Sequence, residues 1–203
     1  DGEKKVCHVK NTGRCRELLI EGVKVILEKT DNPTRKTEYD LIGVYKNNEL
    51  INIDSQAPNK VFGEWVEKGT YFKNITLIKP ECKYKNSRFD CYIETENKKI
   101  FAEVKGVTLE NDGVVMFPDA PTERGVKHIH ELIEAQNEGY EAYIVFVVQM
   151  DNVKYLTPNR ATHSEFADAL LKAQMHGVKI LCLDCIVKKD ELKIKSQIKY
   201  KPS

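Results

Sequence analysis

The sequence predicts a mixed α/β chain in two parts: a small β-barrel over residues 1–56, then a mixed sheet flanked by helices over residues 57–203. Three observations predict this. Residues 4 to about 54 are rich in short strand-like runs broken by turn signals such as Asn32-Pro33 and Asn47-Asn48. Beyond residue 70 the order becomes strand, strand, strand, helix, strand, helix, strand. Between the two, Val61, Phe62, Trp65 and Val66 fall at helical spacing and read as a bridge that stops near Gly69.

The first part is expected to hold strands at 6–9, 23–28, 39–45 and 50–54. A short helix is expected after Asn11-Thr-Gly-Arg14, carrying Leu18, Leu19 and Ile20. In the second part, residues 76–84, 88–95 and 99–106 form a meander. A helix follows over 123–138, with Thr122 as its N-cap and Gly139 as its stop. The unbroken apolar run 142–148 reads as a central strand buried on both faces. Ser164 is expected to cap a last helix that runs to His176 and closes at Gly177, before a strand over 178–187. At the end, Lys193, Lys195, Lys199 and Lys201 alternate with Ile194, Ile198 and Tyr200. That pattern suits an edge strand guarded by lysines, with a phosphate-binding strip as the alternative.

Composition narrows the function. Lys and Arg number 32 against 31 Asp and Glu, for a net charge of +1. A nucleic-acid binder with this balance must gather its basic residues locally. No apolar run approaches the roughly 18 residues of a membrane span, so no membrane partner is expected. The six cysteines suggest a reducing, cytoplasmic setting. Cys182-Leu-Asp-Cys185 lies on a strand, where positions three apart face opposite ways and cannot clamp one zinc. The chain opens without Met and runs almost at once into a strand, so an N-terminal piece is expected to be missing and the barrel incomplete.

The chemistry concentrates on the meander. A tight turn centred on Glu96-Asn97 pairs position 90 with position 103. Phe89, Cys91 and Ile93 are expected on one face, with Asp90 on the other. Ile100, Ala102 and Val104 face one way, so Glu103 and Lys105 share the opposite side. Two adjacent carboxylates repel unless a cation or a proton lies between them. Hard oxygen ligands favour Mg²⁺ or Mn²⁺, with water and phosphate oxygens completing the shell. Asp90 and Glu103 are therefore the expected metal ligands, and Lys105 the group that orients an attacking water.

Asp90 with Glu103-Val104-Lys105 resembles the core of the PD-(D/E)xK nucleases, with Phe89 where the motif's name has Pro. The stretches Glu103-Val-Lys-Gly-Val-Thr-Leu109, Phe117-Pro-Asp-Ala-Pro-Thr-Glu-Arg-Gly125 and Lys127-His128 resemble the sugar fermentation stimulation protein family, SfsA. So do His8-Val-Lys-Asn-Thr-Gly-Arg14, Asp54-Ser-Gln-Ala-Pro-Asn59 and Asn86-Ser-Arg-Phe-Asp90. The resemblance implies an OB-like barrel followed by a nuclease-like domain. It also implies binding of double-stranded DNA, largely without sequence preference, and a regulatory role in sugar metabolism.

Further candidates follow. Glu64, on the bridging helix, is placed to supply the upstream acid many such nucleases carry. Arg124, Lys127, His128 and Glu131 share a helical face that suits phosphate contacts, with a solvated outer face as the alternative. His130 is assigned to packing. Arg14, near an expected helix start, is a phosphate candidate. Asp119 is placed to orient Arg124 or to cap the turn. Tyr39, Tyr45 and Trp65 suit either base stacking or the core. The leading function is DNA binding by a protein that keeps a nuclease-like metal site. Its alternatives are an active Mg²⁺-dependent DNA nuclease and a non-catalytic RNA- or protein-binding module. No small-molecule cofactor is expected, and a homodimer would suit a duplex.

Overall fold

The computed structural model describes residues 2–11 and 13–202. Asp1, at the expected truncation point, Thr12 and Ser203 lie outside the described residues.

The N-terminal part is a curled sheet of β1 (Cys7–Val9), β2 (Val25–Lys29), β3 (Tyr39–Lys46) and β4 (Glu49–Asn52). β3 is central. It pairs in parallel with β1 and antiparallel with β2 and β4. The β2–β3 pairing slips between Ile26 and Leu27, where β3 carries the extra residue Ile42 as a bulge. The helix expected near residues 15–20 is a single turn, closed by the Leu18 and Leu19 N–H groups on the Cys15 carbonyl. Only Leu18 of its three apolar residues is buried; Leu19 and Ile20 are exposed. Neighbouring positions cannot share one helical face, so burial favours a turn that tucks Leu18 alone.

Helix α1 (Ala57–Glu67) links the two parts and buries Val61, Phe62 and Val66. The meander follows as β5 (Ile75–Tyr84), β6 (Ser87–Thr95) and β7 (Lys99–Val107). A small hairpin, β8 (Glu110–Asn111) and β9 (Val114–Phe117), precedes helix α2 (Glu123–Asn137). Then come β10 (Glu141–Val148), β11 (Tyr155–Pro158), helix α3 (Ser164–Met175), β12 (Lys179–Val187), β13 (Leu192–Gln197) and β14 (Lys199–Tyr200).

The main sheet has the order β13-β12-β10-β7-β6-β5. Its centre, β7-β10-β12, is parallel, with α2 and α3 as crossovers, while the flanking pairs are antiparallel. β10 is buried on both faces, as its apolar run requires. Ala142, Ile144, Phe146 and Val148 meet α2 and α3, whereas Tyr143, Val145 and Val147 meet the α1 side. Cys182 and Cys185 likewise fall into the two opposite cores. Burying a side chain such as Phe146 contributes roughly 1.5–3 kcal/mol, and its loss to Ala costs about 3–5 kcal/mol. The α2 core is continuous with the N-terminal part through Leu18, Leu41, Val44, Ile51 and Ile53.

Some expectations need correction. A third sheet, β14-β11-β9-β8, is absent from the sequence reading because strands of two to four residues are too short to show a period. His163, not Ser164, is the N-cap of α3. Thr122 caps α2 as expected, accepting from the Gly125 N–H at 3.0 Å. Phe89 packs with Tyr84 and Phe101 on the α2 face, apart from Cys91 and Ile93. The alternation of β6 breaks at Asp90, where its pairing with β5 also skips Glu81, held at φ 50°.

Candidate functional site

The β6–β7 register is the one the turn requires: Cys91 lies opposite Ala102 and Tyr92 opposite Phe101. Past Cys91 the ladder ends. There the Asp90 carboxylate takes over, its Oδ2 accepting the Val104 N–H at 2.8 Å. Its Oδ1 accepts from Asn59 Nδ2, on α1, at 2.9 Å. Each oxygen keeps a further lone pair. Asp90 is thus pinned where two strands part, with the Val104 backbone to anchor it.

Glu103 lies on the α2 face of β7 with only 2% of its surface exposed. Its Oε1 takes two partners, Lys105 Nζ at 2.5 Å and the ring Nδ1 of His128. Its Oε2 is buried and has no hydrogen-bond partner. A buried carboxylate oxygen left unsatisfied costs free energy, and such atoms are rare in stable folds.

The two acids differ electrostatically. Burial, and then the nearby Glu103 charge, push Asp90 above its ordinary value. The Val104 N–H, Lys105 and Asn59 oppose that push. Burial alone would raise Glu103 as well. The His128 hydrogen bond and the Lys105 charge outweigh it and hold Glu103 below the ordinary range. Opposed carboxyls of this kind mark sites where charge is managed for a task. Among the described residues, no three His, Cys, Asp or Glu side chains gather into a metal cluster. Two carboxylates, one with a spare oxygen, suit a hard cation whose remaining positions go to water and phosphate.

Lys105, which holds Glu103, also lines a cleft of about 300 Å³ with Gly106, Thr108, Pro118, Asp119 and Gln149, closed by Asn11 and Gly13 from the N-terminal part. Asp119 Oδ2 accepts the Arg14 N–H at 2.9 Å. This contact needs a glycine at position 13, since a Cβ there would lie 2.5 Å from the same oxygen. Asp119 therefore caps the incoming loop. Farther along the junction, Gln149 Nε2 donates to Asn52 Oδ1 and to the Asp54 carbonyl, at 2.7 and 2.9 Å.

The structure brings Asp90, Glu103, Lys105 and His128 together. Glu64 lies exposed on α1, and the α1 residue that reaches Asp90 is Asn59. Arg14, Arg124 and Lys127 are exposed. His128, expected on the outer face with them, is 5% exposed and points at Glu103. His130 has the reverse fate: assigned to packing, it is exposed. Charge spacing marked the right helix but could not say which side docks. Trp65 packs among Phe62, Tyr71 and Phe72.

Comparison with known proteins adds to this geometry. The "Sugar fermentation stimulation protein RE domain" model matches residues 56–191, and the "SfsA N-terminal OB domain" model matches residues 1–53. The chain belongs to the SfsA family. The first four strands thus form its OB domain. A sugar fermentation stimulation protein homolog of Clostridium beijerinckii is 59% identical over 198 residues, covering 98% of this chain and 88% of the relative. A homolog of Ruminiclostridium cellulolyticum is 57% identical over 201 residues, covering 99% and 89%. The solved structure of Pyrococcus furiosus SfsA in complex with Ca²⁺ superposes with a TM-score of 0.90 at 28% identity, covering 98% of this chain and 87% of that one. No helix among the described residues is long and apolar enough to cross a membrane.

Proposed function

We propose that this protein binds double-stranded DNA largely without regard to sequence and carries a divalent cation, Mg²⁺ or Mn²⁺, on Asp90 and Glu103. The observation that carries this reading is the buried, unpartnered Oε2 of Glu103 beside an Asp90 whose ionised form is disfavoured. A cation would satisfy the oxygen and relieve the repulsion in one step. The Ca²⁺ found in the Pyrococcus furiosus relative supports a hard divalent ion.

When bound, such an ion neutralises phosphate charge and lowers the pKa of a coordinated water. The chain's own residues do the rest. Asn59 and the Val104 N–H fix Asp90. Lys105, at the cleft wall, offers an ammonium to a phosphate oxygen. Arg14, Arg124 and Lys127, exposed around the site, hold the sugar-phosphate backbone. Binding of this kind suits a cytoplasmic regulator, the role in sugar metabolism that the family's name describes. Hydrolysis of the phosphodiester is a second reading, favoured by the full set of two acids and a lysine.

Fluorescence anisotropy with a labelled duplex tests the first reading. Affinity should fall steeply as salt rises, and Arg124→Ala and Lys127→Ala should each flatten the log–log slope by about 1. No measurable binding of the duplex at low salt points instead to an RNA- or protein-binding module. Plasmid nicking with Mn²⁺ tests the second reading: cleavage by the wild type and none by Asp90→Ala establishes a nuclease, and cleavage by neither leaves a binder.

A further inference from the structure

The metal reading makes no use of the buried His128. His128 projects from α2, 5% exposed, with its Nδ1 against Glu103 Oε1. Its other nitrogen, Nε2, faces Arg124 Nε at 3.4 Å, one turn earlier on the same helix. Arg can only donate, so Nε2 is the acceptor and Nδ1 carries the proton. The ring therefore donates from Nδ1 in a fixed orientation, held from the surface side by a guanidinium and aimed at a carboxylate from within.

We infer that His128 is a positioning residue for the metal site: it ties down Glu103 Oε1 so that Oε2 is the oxygen presented to the cation, and Arg124 holds the ring in place. The inference rests on the metal site proposed above. Glu103 has flexible torsions, and without His128 its two oxygens would exchange roles around Lys105. With Oε1 saturated by Lys105 and His128, rotation would break two hydrogen bonds at once. The unpartnered atom is Oε2, the one that this bracing leaves free. Outer partners of a metal ligand act in this way elsewhere, and their loss weakens the metal by about 10–100-fold.

Arg124 thereby gains a second role. Its Nε serves the ring, while its terminal nitrogens remain to meet a phosphate. A purely DNA-contacting arginine would not affect metal affinity in the absence of DNA.

Isothermal titration of the full chain with CaCl₂, without DNA, tests this. His128→Ala should weaken Ca²⁺ by about 10–100-fold. His128→Asn, whose side-chain amide places a donor near the position of Nδ1, should recover most of the loss. Arg124→Ala, at an exposed position whose loss leaves the core intact, should weaken Ca²⁺ by several-fold. Near-ultraviolet circular dichroism verifies that each variant keeps its packing. Should His128→Ala fail to fold, His128→Asn and Arg124→Ala carry the test. Wild-type affinity in Arg124→Ala together with either His128 variant showing no donor dependence overturns the inference. Wild-type affinity in Glu103→Gln removes the metal site itself, and the inference with it.

Discussion

Two carboxylate sites in this protein use the same chemical groups to opposite ends. In the OB domain, Asp40 is 2% exposed and saturated. Arg35 grips it with both terminal nitrogens, one of them at 2.8 Å, Lys10 lies at 2.8 Å, and the His8 ring is at 3.3 Å. The Arg35 hydrogen bonds, and then Lys10, hold Asp40 well below the ordinary carboxylate range against the pull of burial. In the larger domain, Asp90 lacks such partners and rises, while Glu103 keeps an oxygen that nothing meets. Asp40 anchors the loop between β2 and β3 and asks nothing of solution. The Asp90–Glu103 pair is incomplete in a way that a cation would complete. Burial of an acid therefore says little until its partners are counted oxygen by oxygen.

The largest expected effect separates the two sites by ligand. Ca²⁺ at 100 times its dissociation constant should stabilise the wild type by about 2.7 kcal/mol. For a domain of this size that corresponds to a rise of roughly 5–10 °C in melting temperature. Asp90→Asn should show no rise, and Asp40→Asn should show the full one, as read by differential scanning calorimetry. An equal response in all three proteins would erase the distinction.

A smaller effect concerns stability without metal. Asp40→Ala should cost on the order of 1–2 kcal/mol, between an exposed and a buried pair, because Arg35 and Lys10 can turn back to water. Asp90→Asn should cost nothing or stabilise slightly, since it removes a charge that burial and Glu103 disfavour. Urea denaturation at neutral pH measures both. A larger loss for Asp90→Asn than for Asp40→Ala would reverse our assignment of which acid is structural.

The smallest effect is in pH, where the two acids have opposite signs. Asp40 is depressed in the folded state, so its contribution is present above the unfolded value of about 4 and fades as pH falls below it. Asp90 is raised, so its contribution is present below about 4 and is lost as pH rises through its higher folded value. The stability gap between Asp90→Asn and the wild type should thus widen as pH climbs out of the acid range. For Asp40→Asn the wild type should gain over the variant across the same rise. Parallel curves would mean that the sites do not differ as their partners suggest.

Much of the site was legible in the chain itself. The turn at Glu96-Asn97 set the register, and alternation along β7 put Glu103 and Lys105 on one face. Both follow from local rules of period two and hairpin symmetry. The partners were not legible. Asn59 reaches Asp90 only because α1 crosses the sheet at that point, and His128 reaches Glu103 only because α2 docks with that flank inward. The charges at Arg124, Lys127 and Glu131 pointed to an outer face, and His128 sits at the boundary where one residue's rotation decides burial. The break at Asp90 that sends Phe89 to the other core was also hidden, since it depends on the neighbouring strand β5.

By itself, then, the sequence determined the order of the longer elements, the buried central strand, the register of the hairpin and the shared face of Glu103 and Lys105. Those features depend on residues near one another along the chain, whose spacing and size act before any long-range contact forms. Tertiary structure alone decided which carboxylate oxygens are satisfied, which histidine is buried and how the OB domain closes the cleft. Those depend on docking angles between distant segments, which emerge from the packing of whole faces and leave no periodic mark in the sequence.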